Sequence, residues 1–477
     1  MGAATLALLL GWRRLTSFVT VLAAMSVLVS AGVLALNVRS GVYFGIWNLF
    51  RADALTSTML VVIGTVGTLA TWAGIGYIDA ELTHGHTDRR GANLYGVLVP
   101  VFLAAMASAV LANNVGVMWV AIEATTVATA FLVGHRRTRG ALEATWKYVV
   151  ICSVGIALAF LGTVLLYFAS LHAGAASGDA LNIDVLLANA TRLDPAVTRL
   201  AAGLLLLGYG AKAGLVPFHT WLADAHSQAP APVSALMSGV LLSVAFYALL
   251  RIKSVVDLAL GTGFLRAGLL IVGLLTLLIA ASLLVVQTDF KRMLAYSSME
   301  NMGLVAVAAA AGTRLAIAAL LLQVLAHGIA KTLVFLAAGQ LQAAHDSTAI
   351  GDVTGIVARS PLVGITFAVG LAVLLGLPPF AMFASELSIS RALAGAHLGW
   401  ALGLALLLVV VAFAALVRNG SRMLLGPPAA GAPAIAVPGS VAAALVTGVI
   451  LSLALGLTLG PLGQLFNTAA TLLGGTR

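Results

Sequence analysis

Seven ionisable side chains stand inside long apolar stretches of this chain: Glu123, Lys147, Lys212, Glu300, His327, Lys331 and Glu386. By the lower estimates, a charge at mid-bilayer costs on the order of 2.5–3.5 kcal/mol. Keeping seven of them therefore signals function, and carboxylate, amine and imidazole are all groups that exchange protons. Glu123 lies in MWVAIEATTVATAFLVG, and Lys212 lies in GYGAKAGLVPFHTW, one turn before Pro217. On neighbouring helices the two could pair. Burial favours the neutral amine and an adjacent carboxylate favours the ammonium, so moving the carboxylate would switch the lysine between holding and releasing a proton. The bland alternative is a static ion pair joining two helices.

His327 and Lys331, in LLQVLAHGIAKTLVFLAAG, are four residues apart and share a helix face. An imidazole that titrates near neutrality beside an amine suits a relay. Glu386 follows Pro378-Pro379 and could stand at a water-accessible exit. Glu300, in SSMENMG, falls near mid-depth and reads equally well as a relay group or as a structural partner of Ser297 or Asn301. Glu143 and Lys147 form an i, i+4 pair at the start of an apolar run, where Lys147 either joins the path or snorkels to the surface. His219, Asp224 and His226, in FHTWLADAHSQAPAPVSAL, lie in a proline-rich hinge without cysteine, which favours hinge and proton-access roles over a metal site. No oxygen-rich cluster suits a hard cation, so protons are favoured over sodium.

These groups must be held by spanning helices. The 477 residues are 61% hydrophobic and 9% charged, far from the composition of a soluble domain. Apolar runs fall at about 2–12, 15–36, 55–78, 94–112, 114–135, 144–170, 197–228, 232–250, 263–286, 290–311, 314–343, 361–394, 397–417 and 438–460. The expected fold is an all-α polytopic membrane protein of about fourteen spans in one domain, residues 1–477. Two runs are interrupted, at Pro217 and at Pro378-Pro379, and their helices should break against protein or water. The opening MGAATLALLLGWRR carries its charge after the apolar stretch, the reverse of a secretory signal. It reads as a shortened or tilted helix, with a mis-assigned start codon as the rival explanation.

The net charge of +9 sits in short loops and marks topology rather than nucleic-acid binding. Arg13, Arg14, Arg89, Arg90, Arg136, Arg137, Arg139, Lys291, Arg292, Arg359, Arg418 and Arg422 fall on one side. Arg39, Arg51, Arg192, Arg199, Arg251, Lys253, Arg266, Arg314 and Arg391 fall on the other. The richer side should be cytoplasmic, with both termini facing away from it. Cys152 is the only cysteine and reads as a small core residue, so any iron–sulfur or nickel centre must belong to a partner chain. The broken runs and the acidic residues Glu123 and Glu300 recur at the same shift along the chain. That suggests two inverted repeats, about 94–250 and 263–417.

The segment KAGLVPFHTWLADAHSQAPAPVSALMSGVLL resembles the antiporter-like membrane subunits of respiratory complex I and of cation/proton antiporters. Within that group the chain looks most like the F subunit of hydrogenase-4 type enzymes, the membrane-bound group 4 nickel–iron hydrogenases linked to formate oxidation. WVAIEATTVATAFLVG, ALEATWKYVVICSVGIALAFLGTVL, DFKRMLAYSSMENMGLVAVA, HGIAKTLVF and GLPPFAMFASE carry the likeness. The resemblance implies fourteen helices with two inverted five-helix repeats, and a Glu–Lys pair at Glu123 and Lys212. It also implies a central relay at His327 and Lys331 and a terminal ionisable group at Glu386. Ser243 stands where many relatives carry a lysine, so the central wire must pass through water or other groups there. Ala223 stands where the hinge usually has proline, and Glu386 where several relatives have lysine.

The expectation is thus a proton-translocating subunit with no cofactor of its own. A nickel–iron centre and iron–sulfur clusters would reside in partner subunits: other membrane subunits and a peripheral hydrogenase arm. It would lie in a bacterial or archaeal cytoplasmic membrane. The alternatives are a subunit of complex I or of a multisubunit sodium/proton antiporter, and, from another class, a passive scaffold.

Overall fold

Helix starts are written into the polar residues between the apolar runs. Asp53, Asp88, Asn114, Thr138, Asp194, Asp289 and Thr313 each accept a hydrogen bond from a backbone N–H of the first turn that follows. The computed structural model describes residues 1–38, 41–427 and 434–474. The first part of the chain forms α1 (Gly2–Leu10), α2 (Arg14–Asn37), an antiparallel hairpin of β1 (Tyr43–Gly45) and β2 (Phe50–Ala52), α3 (Ala54–Thr83), α4 (Arg89–Leu111), α5 (Val115–Val133) and α6 (Arg139–His172). A short α7 (Ile183–Asn189) precedes α8 (Pro195–Lys212), α9 (Trp221–Gln228) and α10 (Ala231–Leu236). A π-helical turn, Met237–Leu241, joins α10 to α11 (Leu242–Leu260).

The rest follows as α12 (Gly263–Val285), α13 (Phe290–Ala311), α14 (Arg314–His345), α15 (Ile356–Arg359), α16 (Pro361–Leu374), α17 (Ala381–Gly395), α18 (Gly399–Leu424), α19 (Gly439–Leu457) and α20 (Pro461–Leu472). The chain is an all-α polytopic membrane protein. Among the described residues, ten helices are long and apolar enough to cross a bilayer, counting α10 through α11 as one. The expected fourteen also needed the two broken runs, the more polar α13, and α1. With nine residues α1 is about 13.5 Å long, far short of a crossing. Helix α20 and the hairpin were not anticipated.

Both interruptions fall at the prolines and share a form. Helix α8 stops at Lys212 and α9 resumes at Trp221; α16 stops at Leu374 and α17 resumes at Ala381. In each gap a glycine takes a left-handed conformation, Gly214 at φ 78° and Gly376 at φ 60°, ahead of a cis proline at Pro217 and Pro379. Burial sorts the helices. The segments Ala231–Leu260 and Arg314–His345 are buried throughout their apolar stretch, whereas only 22% of that of α2 is buried. Helices α10, α11 and α14 therefore form the centre and α2 lies at the periphery.

Several basic residues expected in exposed loops are not exposed. Arg51, Arg251, Lys253 and Lys291 are buried, and Arg136 is half-buried in an ion pair with Glu81. Arg251 and Lys253 follow the end of an apolar run that the helix itself outlasts, and Lys291 opens another, so a linear reading assigns them to loops; Arg51 lies in β2. Arg39 lies outside the described residues.

Helices α6 and α8 pack through glycines. A Cβ on Gly208 would lie 2.5 Å from the Ala159 backbone N and 2.6 Å from the Gly155 carbonyl O. Gly203, five residues earlier on α8, has open space at that position. Gly208→Val should destabilise the protein by at least about 1–3 kcal/mol through overpacking against backbone. Gly203→Ala should raise stability by up to about 1 kcal/mol. Thermal unfolding in detergent checks both; a Gly208→Val variant as stable as wild type would contradict the packing.

Candidate functional site

Lys212 is the last residue of α8 and is completely buried. A helix C-terminus carries partial negative charge, so the break itself provides a favourable place for a cation. Its Nζ donates to Thr126 Oγ1 at 3.0 Å and to Tyr148 OH at 2.5 Å, and lies 4.7 Å from the centre of the Tyr148 ring. Thr126 Oγ1 in turn donates to Glu123 Oε2 at 2.9 Å. Thr126 follows Glu123 by one turn on α5, which puts its hydroxyl between the two charges. The direct Glu123–Lys212 ion pair expected from sequence is thus replaced by a threonine bridge. A hydroxyl that accepts from the amine and donates to the carboxylate joins the two by a continuous chain of hydrogen bonds. Cys152, four residues after Tyr148, is a buried free thiol in the same wall.

In the second half, His327 and Lys331 lie on α14, fully buried and one turn apart. Lys331 Nζ donates to Leu294 O at 2.7 Å and to Ser297 Oγ. Neither ring nitrogen of His327 has a hydrogen-bond partner. Glu300 does not bond Ser297 or Asn301. Ser297 donates to Leu294 O, and Asn301 Oδ1 accepts from Gln323 Nε2 at 2.9 Å. Glu300 instead lines a small cavity with Glu386, beside Leu374 and Leu375 at the second break. Gly376 makes this possible, since a Cβ there would stand 2.3 Å from Glu386 Oε2.

Between the two halves runs a row of rings. Tyr148 and Trp221 are 5.0 Å apart, Trp221 and His226 6.0 Å, and His226 and Phe335 5.9 Å. Trp221 Nε1 donates to Ala211 O at 3.0 Å, capturing a carbonyl near the end of α8. His226 is completely buried and His219 half-buried in the hinge. Ser243 is buried with an unpartnered hydroxyl, a polar atom that a water could satisfy.

Lys147 is not buried in the bundle. Its side chain is 47% exposed and forms ion pairs with Glu143 at 2.7 Å and Asp224 at 3.0 Å; Arg292 holds the other Asp224 oxygen at 2.6 Å. Asp224 thus belongs to a surface ion-pair network that ties α9 to α6 and α13. The linear reading also missed a buried cluster in which Arg251 grips both oxygens of Asp53 at 2.7 Å each, with Arg51 3.0 Å away and Tyr247 and Thr56 alongside. It missed Thr126 and Tyr148 as well. Their spacing from Glu123 and Lys147 was visible, but hydroxyls in apolar helices are too common to single out.

The sequence profile of the family described as NADH:quinone oxidoreductase/Mrp antiporter, TM, matches residues 112–412, from just before Glu123 to beyond Glu386. The chain belongs to this family. As an antiporter-like membrane subunit it is 36% identical over 341 residues to the Hydrogenase-4 component F homolog of Methylacidiphilum infernorum (isolate V4), covering 71% of each chain. It is 30% identical over 416 residues to NADH-quinone oxidoreductase subunit N of Rhodococcus opacus (strain B4), 85% of this chain and 72% of that one. A chain of the membrane-bound sulfane sulfur reductase, an archaeal respiratory membrane complex, shares the fold with a TM-score of 0.87 at 23% identity, over 99% of this chain and 95% of that one.

Asp53→Ala should leave Arg251 buried without its carboxylate and cost about 3–5 kcal/mol. Lys147→Ala, in an exposed pair, should change stability little. Thermal unfolding of the antiporter-like subunit checks the contrast; equal effects would contradict the placement of the two pairs.

Proposed function

We propose that this antiporter-like subunit moves protons for a hydrogenase-4 type complex. The redox chemistry would sit in partner subunits that hold nickel–iron and iron–sulfur centres. The observation that carries the reading is the pair of fully buried lysines, Lys212 and Lys331, whose hydrogen-bond partners are neutral oxygens. A passive scaffold gains nothing from desolvating two amines without a carboxylate against them. The path would run from Glu123 through Thr126 to Lys212, past Tyr148 and Trp221 to His226, on to Lys331 and His327, and out through Glu300 and Glu386. Residues 94–250 and 263–417 would be its two inverted repeats. The hydrogenase branch is favoured by the 36% identity to the component F homolog. The second reading, a complex I or sodium/proton antiporter subunit, draws on the 30% identity to subunit N.

Other membrane subunits and a peripheral hydrogenase arm are the proposed partners. The loop cations that remain exposed favour the face of loops 84–88, 134–138 and 346–360 as cytoplasmic, with the C-terminus on the other side, while the short α1 leaves the N-terminus part-way along α2 and α3 rather than across. Purification of the native complex separates the two readings: co-purifying nickel and iron–sulfur subunits support the first, flavin and quinone subunits the second.

Glu123→Gln and Lys212→Met should each lower redox-driven proton uptake in vesicles by on the order of 100-fold while the complex still assembles. Thr126→Val should do the same by removing the bridging hydroxyl. Full transport in Glu123→Gln and Lys212→Met would end the proton-path reading, and full transport in Thr126→Val alone would end the bridge. In sodium-free vesicles acidification should persist; activity that returns only with added sodium would make sodium the ion.

A further inference from the structure

Lys291 is a second kind of buried lysine, outside the path just described. It occupies the first turn of α13, where the helix dipole disfavours a cation, yet it is only 1% exposed. Its Nζ donates to Ala229 O at 2.9 Å and to Gln342 Oε1 at 3.2 Å. Ala229 is the residue that ends α9, so the amine caps the half-helix that carries His226. Among the described residues no carboxylate is paired with it. Asp289 is occupied by the Arg292 N–H at 2.7 Å and by Thr348 Oγ1, and Glu81 is held by Arg136.

On one side of Lys291 stands His226. Its Nδ1 lies 2.7 Å from Leu222 O, and a carbonyl only accepts, so Nδ1 carries the hydrogen. Nε2 is then a bare lone pair, buried and without a partner. Lys291 caps the half-helix on which His226 stands, and the His226 ring lies 5.9 Å from Phe335, four residues after Lys331 on α14. On the other side, towards the face of loops 84–88 and 134–138, stand Glu81 and Arg136, joined as an ion pair. Glu81 Oε2 and His135 Nε2 face each other at 4.0 Å, and both are buried without a hydrogen-bond partner. Tyr77 accepts from Arg136 at 3.3 Å and meets Ala231 of the hinge at Gly339, where a Cβ would lie 2.4 Å from Ala231 Cβ and 3.1 Å from the Tyr77 ring. Titratable groups thus line up from that face to the centre.

We propose that Lys291 is a proton-carrying residue of a lateral entry, joining the Glu81–His135 pair to the central relay through His226. This rests on the reading of the chain as a proton path. The Lys291 ammonium loses one N–H proton, through bridging water, to His226 Nε2, which leaves a neutral amine and an imidazolium. The imidazolium passes its Nε2 proton to the Lys331 amine and regains the Nδ1–H tautomer. The Lys291 amine is reprotonated from the Glu81–His135 pair, which refills from the adjoining aqueous face.

The intact complex in vesicles, with redox turnover driving uptake reported by a pH-sensitive dye, tests this through K291M and K291R, with K212M beside them. Arginine keeps the charge and the donors to Ala229 O but does not release a proton at neutral pH. Both Lys291 variants should lose proton uptake by on the order of tenfold or more. Wild-type uptake in K291R would make Lys291 a clamp on α9 and overturn the proposal, as would wild-type uptake in K291M. Failure of K291R to assemble would also overturn it, because a carrier site must tolerate its own charged form. Full uptake in K212M would instead bring down the proton-path reading itself.

Discussion

In an apolar surround every backbone polar group must find a partner within the protein, and this chain has two places where its helices do not supply one. At residues 213–220 the partners are side chains. Trp221 reaches back to Ala211 O, and Thr276 of α12 accepts from the Val216 N–H at 3.0 Å. Lys212 sits where the α8 dipole ends, so the break that frees carbonyls also accommodates a buried ammonium. The second break works by space rather than by charge: Gly376 leaves room for the Glu386 carboxylate against the end of α16. Each interruption of the backbone thereby becomes the point at which an ionisable group can be kept inside.

The buried charges fall into two kinds. Arginines stand in ion pairs: Arg251 and Arg51 with Asp53, and Arg136 with Glu81. Arginine keeps its charge and offers a rigid fork, so these arginines hold helices in register and have no proton to give. Lys212, Lys291 and Lys331 rest instead on carbonyl, amide and hydroxyl oxygens. Such partners accept a hydrogen bond from either form of the amine far more evenly than a carboxylate would. Lys253, paired with Asp257 at the end of α11, follows the arginine pattern, so the three lysines on neutral oxygens stand apart from the charges that fasten the bundle.

Much of this was legible in a linear reading because it is local. Apolar runs of spanning length, polar caps at their starts, prolines that interrupt two of them, and acids and amines where none should be are all properties of short windows. The positions of Lys212, His327, Lys331 and Glu386 inside the bundle follow from them. Lys147 did not follow, because a residue one turn into an apolar run is at depth or at the surface according to what packs beside it. Here Asp224, distant in sequence, draws it outward.

Sequence alone determined that this is a polytopic helical membrane protein with ionisable groups clustered around two breaks, since hydropathy and backbone chemistry act residue by residue. Only the tertiary structure decided which group touches which. Thr126 came between Glu123 and Lys212, Arg251 found Asp53 from the middle of α11, and Lys291 turned inward to close α9 instead of facing water. These outcomes depend on how helices lean and rotate against one another. That is set by the summed packing of small residues such as Gly208 and Gly155 and by no single stretch of sequence.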